Sequence, residues 1–274
     1  MSEENVNQLL KETYTLSKAY DILAKSTGEN FNIFTILQME YDENKTHSRF
    51  IAELFRKEGS HKQGNVFFKL FCEQFQIKNI DFDSYNVHTE YFIGNISLDF
   101  EKGGRIDIFI RDKNNDVLMV ENKINAGEQQ KQLIRYKSAF PNGNLFFLTL
   151  DGKETDCKKA KDLKLAYLPI SYSSDIINWL ENCRKSAIDT PMLREVLSQY
   201  IYLLKKITNQ NTSKEMSKEI TNQLLNDENK FKSFKYLVGI ENNIYKEVFQ
   251  VHILDFVKEI AEEYNMEFDF DTNF

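Results

Sequence analysis

Between Gly103 and Tyr136 the chain sets charged side chains inside segments that otherwise read as buried strands, and this conflict narrows the folds open to it. Arg105–Arg111 (RIDIFIR) is a β-branched and aromatic run. Asp112–Asp116 (DKNND) is a cluster of turn residues, and Val117–Lys123 (VLMVENK) is a second apolar run. So short a turn predicts two adjacent strands. Side chains alternate along a strand, so Val117, Met119, Glu121 and Lys123 share one face, while Asp107 lies within the first run. Two carboxylates and an ammonium on mostly apolar strands are costly to bury unless they pair or hold a metal. Gly127 then breaks the pattern before a helical segment that carries Gln132 and Tyr136, an i,i+4 pair on one face.

This grouping suits metal-assisted hydrolysis of a phosphodiester. Asp107 and Glu121 supply oxygen ligands for a hard divalent cation, Mg²⁺ or Mn²⁺. Such an ion acidifies a bound water and offsets charge on the phosphoryl oxygens, and Lys123 is placed to orient that water. The string Asp107-x13-Glu121-x-Lys123, within GRIDI…VENKI, resembles the PD-(D/E)xK nuclease superfamily, with Ile106 in place of a proline that the superfamily often lacks. Gln132 and Tyr136 resemble the Q-x-x-x-Y that follows ExK in some members, among them exonuclease domains of bacterial recombination complexes. The resemblance implies that both face the active site.

A second matching stretch lies upstream. Glu43, His47, Ser48, Gly59, His61 and Gly64 resemble the N-terminal part of a subgroup in which a glutamate, an HS pair and G-x-H-x-x-G precede the nuclease strands. The resemblance implies a first-helix glutamate in the metal site. Glu43 is that candidate, with Glu40 in reserve. His47 divides evenly between packing and a site role, and His61, in a Gly-flanked loop, reads as structural. Glu90, on a strand, adds an acidic group near the metal or is simply exposed.

The remaining chain fits around these segments. Asn5–Lys25 has apolar residues at helical spacing, Phe31–Met39 is a short apolar segment, and Phe50, Ile51, Leu54 and Phe55 form a helical stripe. Asn65 caps a helix to Gln76. Tyr85–Ile93 and Ile96–Glu101 read as strands about a Gly94-Asn95 turn. Asn144–Leu150 suits a strand covered on both faces, and Pro169 puts Leu165–Ser171 at a sheet edge. Lys153, Lys158, Lys159, Lys161 and Lys164 make a charged loop, solvated or phosphate-contacting. Ser174 or Asp175 caps a helix over 176–185, and Pro191 opens another to about Ile207. The expected fold is α/β: a mixed central sheet flanked by helices, the restriction-endonuclease-like core, with an additional C-terminal helical region. The expected organisation is an N-terminal helix over 1–30, the core over 31–207 and helices over 208–274. The final EFDFDTNF alternates like a strand cut short, so the natural chain runs on or this strand pairs elsewhere.

Composition excludes other classes. No apolar run approaches the roughly 18 residues of a membrane span, and the acidic start is not a signal peptide. Cys72, Cys157 and Cys183 are odd in number and lack metal-ligand spacing, so they read as reduced thiols in a cytoplasmic protein. No Gly-rich phosphate loop is present. A net charge of −7 argues against a large sequence-blind DNA surface, though not against a local basic face. The expected partner is nucleic acid, DNA first, with no membrane; the C-terminal helices offer a surface for a second copy or another protein. The reading is a Mg²⁺-dependent nuclease, in defence against foreign DNA or in repair as the resemblance implies. Two readings compete with it: a non-catalytic binding module on the same fold, and a merely structural Lys123–carboxylate pair closed to solvent.

Overall fold

The structure, a computed structural model, describes residues 3–125 and 127–249, together with 256, 257 and 260. The strands β1 (Tyr85–Phe92), β2 (Arg105–Asp112), β3 (Val117–Asn122), β4 (Asn144–Thr149) and β5 (Leu168–Ser171) form one sheet in that order. β1, β2 and β3 pair antiparallel, whereas β3, β4 and β5 pair parallel, so the sheet is mixed as expected. The antiparallel β2–β3 hairpin follows from the turn residues. Asp112 accepts hydrogen bonds from the Asn114 and Asp116 N–H groups, both at 2.9 Å, and Asn115 takes the left-handed conformation at φ 65°. The parallel β3–β4 step needs a crossover, and α5 (Gln132–Ala139) supplies it.

Each sheet face buries its own apolar set. Ile108, Ile110, Leu118, Val120, Phe146 and Leu148 point to one face. They pack in one core with residues of α3 (Arg49–Phe55), α4 (Val66–Gln74), α7 (Ile177–Ser186) and α8 (Pro191–Ile207). Trp179 is fully buried there, and its indole N–H donates to the Phe67 carbonyl at 2.8 Å. Phe109, Val117, Met119, Leu145 and Phe147 point to the other face, under Leu133 and Tyr136 of α5. Every residue of β3 is buried, as a strand covered on both faces requires. β5 is an edge strand, in keeping with Pro169.

Ala24–Asn211 form one compact unit, which holds the sheet. The N-terminal residues to Leu23 and the described residues from Thr212 onward form another. That second unit contains most of α1 (Glu3–Thr27), with α9 (Thr212–Asn226), α10 (Glu228–Gly239) and α11 (Glu241–Phe249), and within it Lys230 pairs with Glu12 at 2.5 Å. The C-terminal region is thus helical over its described length; EFDFDTNF lies outside the described residues. Among the described residues no helix is long and apolar enough to cross a membrane.

Four local expectations are corrected. The lysine-rich stretch expected as a loop carries a short helix, α6 (Lys158–Asp162). Ile96–Glu101 is a loop, because Ser97 Oγ accepts from the Glu101 and Lys102 N–H groups and Asp99 from that of Glu101, which removes them from strand pairing. Asn65 precedes α4 without capping it; its amide donates instead to the Phe82 carbonyl at 3.0 Å. Ser171, not Ser174 or Asp175, caps the turn that leads into α7: its hydroxyl accepts from the Ser174 and Asp175 N–H groups, while Asp175 accepts from the Ser171 N–H at 2.7 Å.

Candidate active site

Side-chain alternation and register bring the expected groups to one place. The β2–β3 register pairs Ile108 with Val120; one step further along it Asp107 stands opposite Glu121. Both lie on the face that carries Phe109 and Met119, under α5. Asp107 (8 % exposed) accepts from the Asn122 N–H at 2.8 Å, and Glu121 is wholly buried. The Lys123 ammonium forms an ion pair with Glu121 Oε1 at 2.8 Å. Glu121 Oε2 accepts from the Tyr136 hydroxyl at 2.8 Å. That hydroxyl also contacts the Arg105 carbonyl and accepts from the Gln132 amide at 2.9 Å. Asp107, Glu121, Lys123 and Gln132 line an open cleft of about 440 Å³, with Glu43 and Glu90 on its wall. The Lys123–Glu121 pair thus lies at the wall of this cleft, with the Lys123 side chain 10 % exposed.

Burial sets the electrostatics. Desolvation raises the Asp107 carboxyl to about 6, against the pull of the Asn122 N–H and Lys123. Desolvation and then the charge of Asp107 raise Glu121 to about 8, while Lys123 and Tyr136 favour its anion. Burial alone would lower the Lys123 ammonium; Glu121 outweighs it, and the group is raised. Burial raises both carboxyls and the charge of Asp107 adds to the rise at Glu121, so a cation between them would favour their anions, and Lys123 already does so for Glu121 Oε1 at 2.8 Å. The oxygen-only donor set fits a hard divalent ion.

The third expected ligand is placed differently. Glu43 opens a π-helical turn, Glu43–Ser48, and its Oε1 accepts from the Ile124 and Asn125 N–H groups at 2.7 and 2.9 Å. It thereby fixes the chain as it leaves β3. Among the described residues no three His, Cys, Asp or Glu side chains converge closely enough to hold an ion, so Glu43, Asp107 and Glu121 do not stand as an assembled triad. Glu40, the reserve, is turned to the Lys206 ammonium at 2.5 Å and to Thr35, and is not part of the cleft. His47 is fully buried between the Tyr200 hydroxyl (2.8 Å) and the Glu40 carbonyl (2.9 Å), which is a packing role. His61 binds the Arg56 carbonyl and the Gln63 N–H, also within the structure. Glu90 has a left-handed backbone (φ 54°) beside Asp107 in the ladder, strain of the sort found at functional sites.

A family model described as the PD-(D/E)XK nuclease superfamily matches residues 31–202. The chain belongs to this superfamily. No curated protein and no solved structure matches it. Nucleases of the superfamily generally use divalent metal ions, which agrees with the donor set in the cleft.

Sequence reasoning missed Asn122. Its side chain points to the opposite sheet face, where its amide donates to Ser48 Oγ and the Glu43 carbonyl, both at 3.1 Å, and its Oδ1 accepts from the Tyr172 hydroxyl at 2.9 Å. One residue thus ties β3 to the turn that presents Glu43, while its N–H holds Asp107. Its only sequence signal is its place between Glu121 and Lys123. Ser48, expected as half of the HS pair, is Asn122's partner.

Proposed function

We propose that this protein hydrolyses phosphodiester bonds in nucleic acid, DNA first, with a Mg²⁺ or Mn²⁺ ion held by Asp107 and Glu121. The observation that carries the reading is their cross-strand placement on one face of the sheet, in an open cleft, with Lys123 against Glu121. When bound, the ion would acidify a water and offset phosphoryl charge. Lys123 orients the attacking water and stabilises charge that develops on the phosphate. Tyr136 holds Glu121 through its hydroxyl, and Gln132 holds Tyr136 through its amide, so these two are positioning residues. Glu43 acts through the main chain of Ile124 and Asn125, fixing the end of β3 rather than serving as a principal ligand. The resemblance favours a setting in defence against foreign DNA or in repair.

The test is cleavage of plasmid, linear and single-stranded DNA in Mg²⁺ or Mn²⁺ by wild type and Lys123→Ala. Wild type should cut, and the variant should lose roughly 10²–10³ in rate, the scale for one preorganised electrostatic group. Equal rates for both under matched metal would make Lys123 a mere counter-ion and overturn the mechanism.

A further inference from the structure

Next to the cleft lies a second, larger concavity of about 560 Å³. Neighbouring residues line the two: Glu43 and Asn44 of the π-helical turn and Glu90 of β1 line the cleft, whereas Lys45 and Thr46 of the same turn and Thr89 of the same strand line the second concavity, with Thr89 and Glu90 on opposite faces of the edge strand. Its apolar lining comes from Phe34, Met39 and Phe50, and its polar lining includes Arg49. Phe34 and Phe50 meet edge to face at 5.8 Å, and Phe50 packs against Tyr200 at 4.2 Å, so the aromatic floor is braced from below.

Two features mark this groove as a site. Lys45 and Arg49 are exposed, and among the described residues neither is paired with a carboxylate; Arg56, by contrast, is neutralised by Glu53 at 2.7 Å. In a chain of net charge −7, two unpaired cations beside an acidic cleft are a local reversal of sign. The second is Thr46, only 3 % exposed, whose Oγ1 has no hydrogen-bond partner. A buried hydroxyl without a partner is costly, and a helical threonine has two χ1 positions with which to turn it towards a ligand.

We propose that this groove is a subsite for one unpaired nucleotide of the substrate strand adjoining the bond to be cut. Its base lies on the Phe34–Met39–Phe50 floor and takes a hydrogen bond from or to Thr46 Oγ1, and its phosphates lie against Lys45 and Arg49. Stacking against aromatic side chains is tolerant of sequence, and the two cations track the backbone, so the occupant is single-stranded. The inference rests on the nuclease reading: a strand cut at Asp107 and Glu121 reaches this groove by passing around the edge of β1, where Glu90 faces the cleft and Thr89 the groove.

The test measures binding of a fluorescein-labelled single-stranded oligonucleotide by anisotropy in Mg²⁺, with every protein on the Lys123→Ala background to suppress cleavage. Lys45→Gln/Arg49→Gln should weaken binding at least about tenfold at low salt and reduce the log–log salt slope by about 1.4, the share of two single-strand phosphate contacts. Lys218→Gln/Lys235→Gln removes the same charge outside Ala24–Asn211 and should change neither. Thr46→Val should weaken binding of the intact oligonucleotide several-fold and leave binding of an abasic one of equal length unchanged. Parent affinity and slope in the Lys45/Arg49 variant, or equal losses on intact and abasic strands in Thr46→Val, would overturn the subsite alone. A parent protein that binds no single-stranded oligonucleotide would also overturn the subsite alone, whereas failure of the wild type to cut plasmid, linear and single-stranded DNA would overturn the nuclease reading with it. The Lys45/Arg49 variant alters exposed side chains only, so it remains decisive even if Thr46→Val folds poorly.

Discussion

Replacing His47 with glutamine should change how stability depends on pH, by an amount set by the site it occupies. The Glu40 carbonyl can only accept, so Nε2 carries the proton and Nδ1 accepts from the Tyr200 hydroxyl. The neutral ring is fully satisfied. Burial lowers its pKa from 6.5 to about 4, against the pull of the Glu40 carbonyl and of the Asp42 and Glu43 charges. Folded protein therefore refuses a proton that the unfolded chain accepts. Above pH 7 both states are neutral and the group adds no pH dependence. As pH falls below 6.5 the unfolded state alone gains a proton, and stability drops until the folded ring titrates near 4. The full loss is about 3 kcal/mol, of which about 2 kcal/mol is reached by pH 5. Trp179 is the chain's only tryptophan and is buried beside Phe55 and Phe71, so its fluorescence in urea reports this unit of the fold. At pH 7.5 His47→Gln should be the less stable protein by about 1–2 kcal/mol, through lost hydrogen bonding. By pH 5 that gap should have closed by about 2 kcal/mol, because the variant lacks the titrating ring. A gap that is the same at pH 7.5 and pH 5 would refute the neutral, buried assignment.

Other perturbations test the supports of the cleft. Tyr136→Phe keeps the ring in its core but strips a partner from both Glu121 and Gln132; thermal melts should show a loss of about 2–4 kcal/mol, and a change below about 0.5 kcal/mol would disprove the hydrogen-bonded chain. Asn122→Ala leaves the main-chain N–H on Asp107 but removes the side-chain links to Ser48, Glu43 and Tyr172. It should cost about 2–4 kcal/mol and increase amide exchange at Ile124 and Asn125, and unchanged exchange there would show that the Glu43 turn stands without it.

The sequence by itself determined the sheet that carries the site and the face on which the charges lie. Strand alternation is a local rule, and Asp112 closes the DKNND turn with its own carboxylate, so the 105–123 hairpin needs no distant partner to set its register. The opposition of Asp107 and Glu121, the proximity of Lys123, and the Gln132–Tyr136 pair all follow from spacings of a few residues. What only the tertiary structure decided is where the long-range polar partners lie. Glu43 binds main-chain groups some 80 positions away, Glu40 pairs with Lys206, His47 with Tyr200, and Asn122 links β3 to Ser48 and Tyr172. Nothing in local spacing ranks Glu43 above Glu40, or shows that Thr46 is left without a partner. Side-chain hydrogen bonds are short-ranged and directional, so they are settled only once packing has fixed which elements meet, whereas hydrophobic period and turn chemistry act within each element before any of them do.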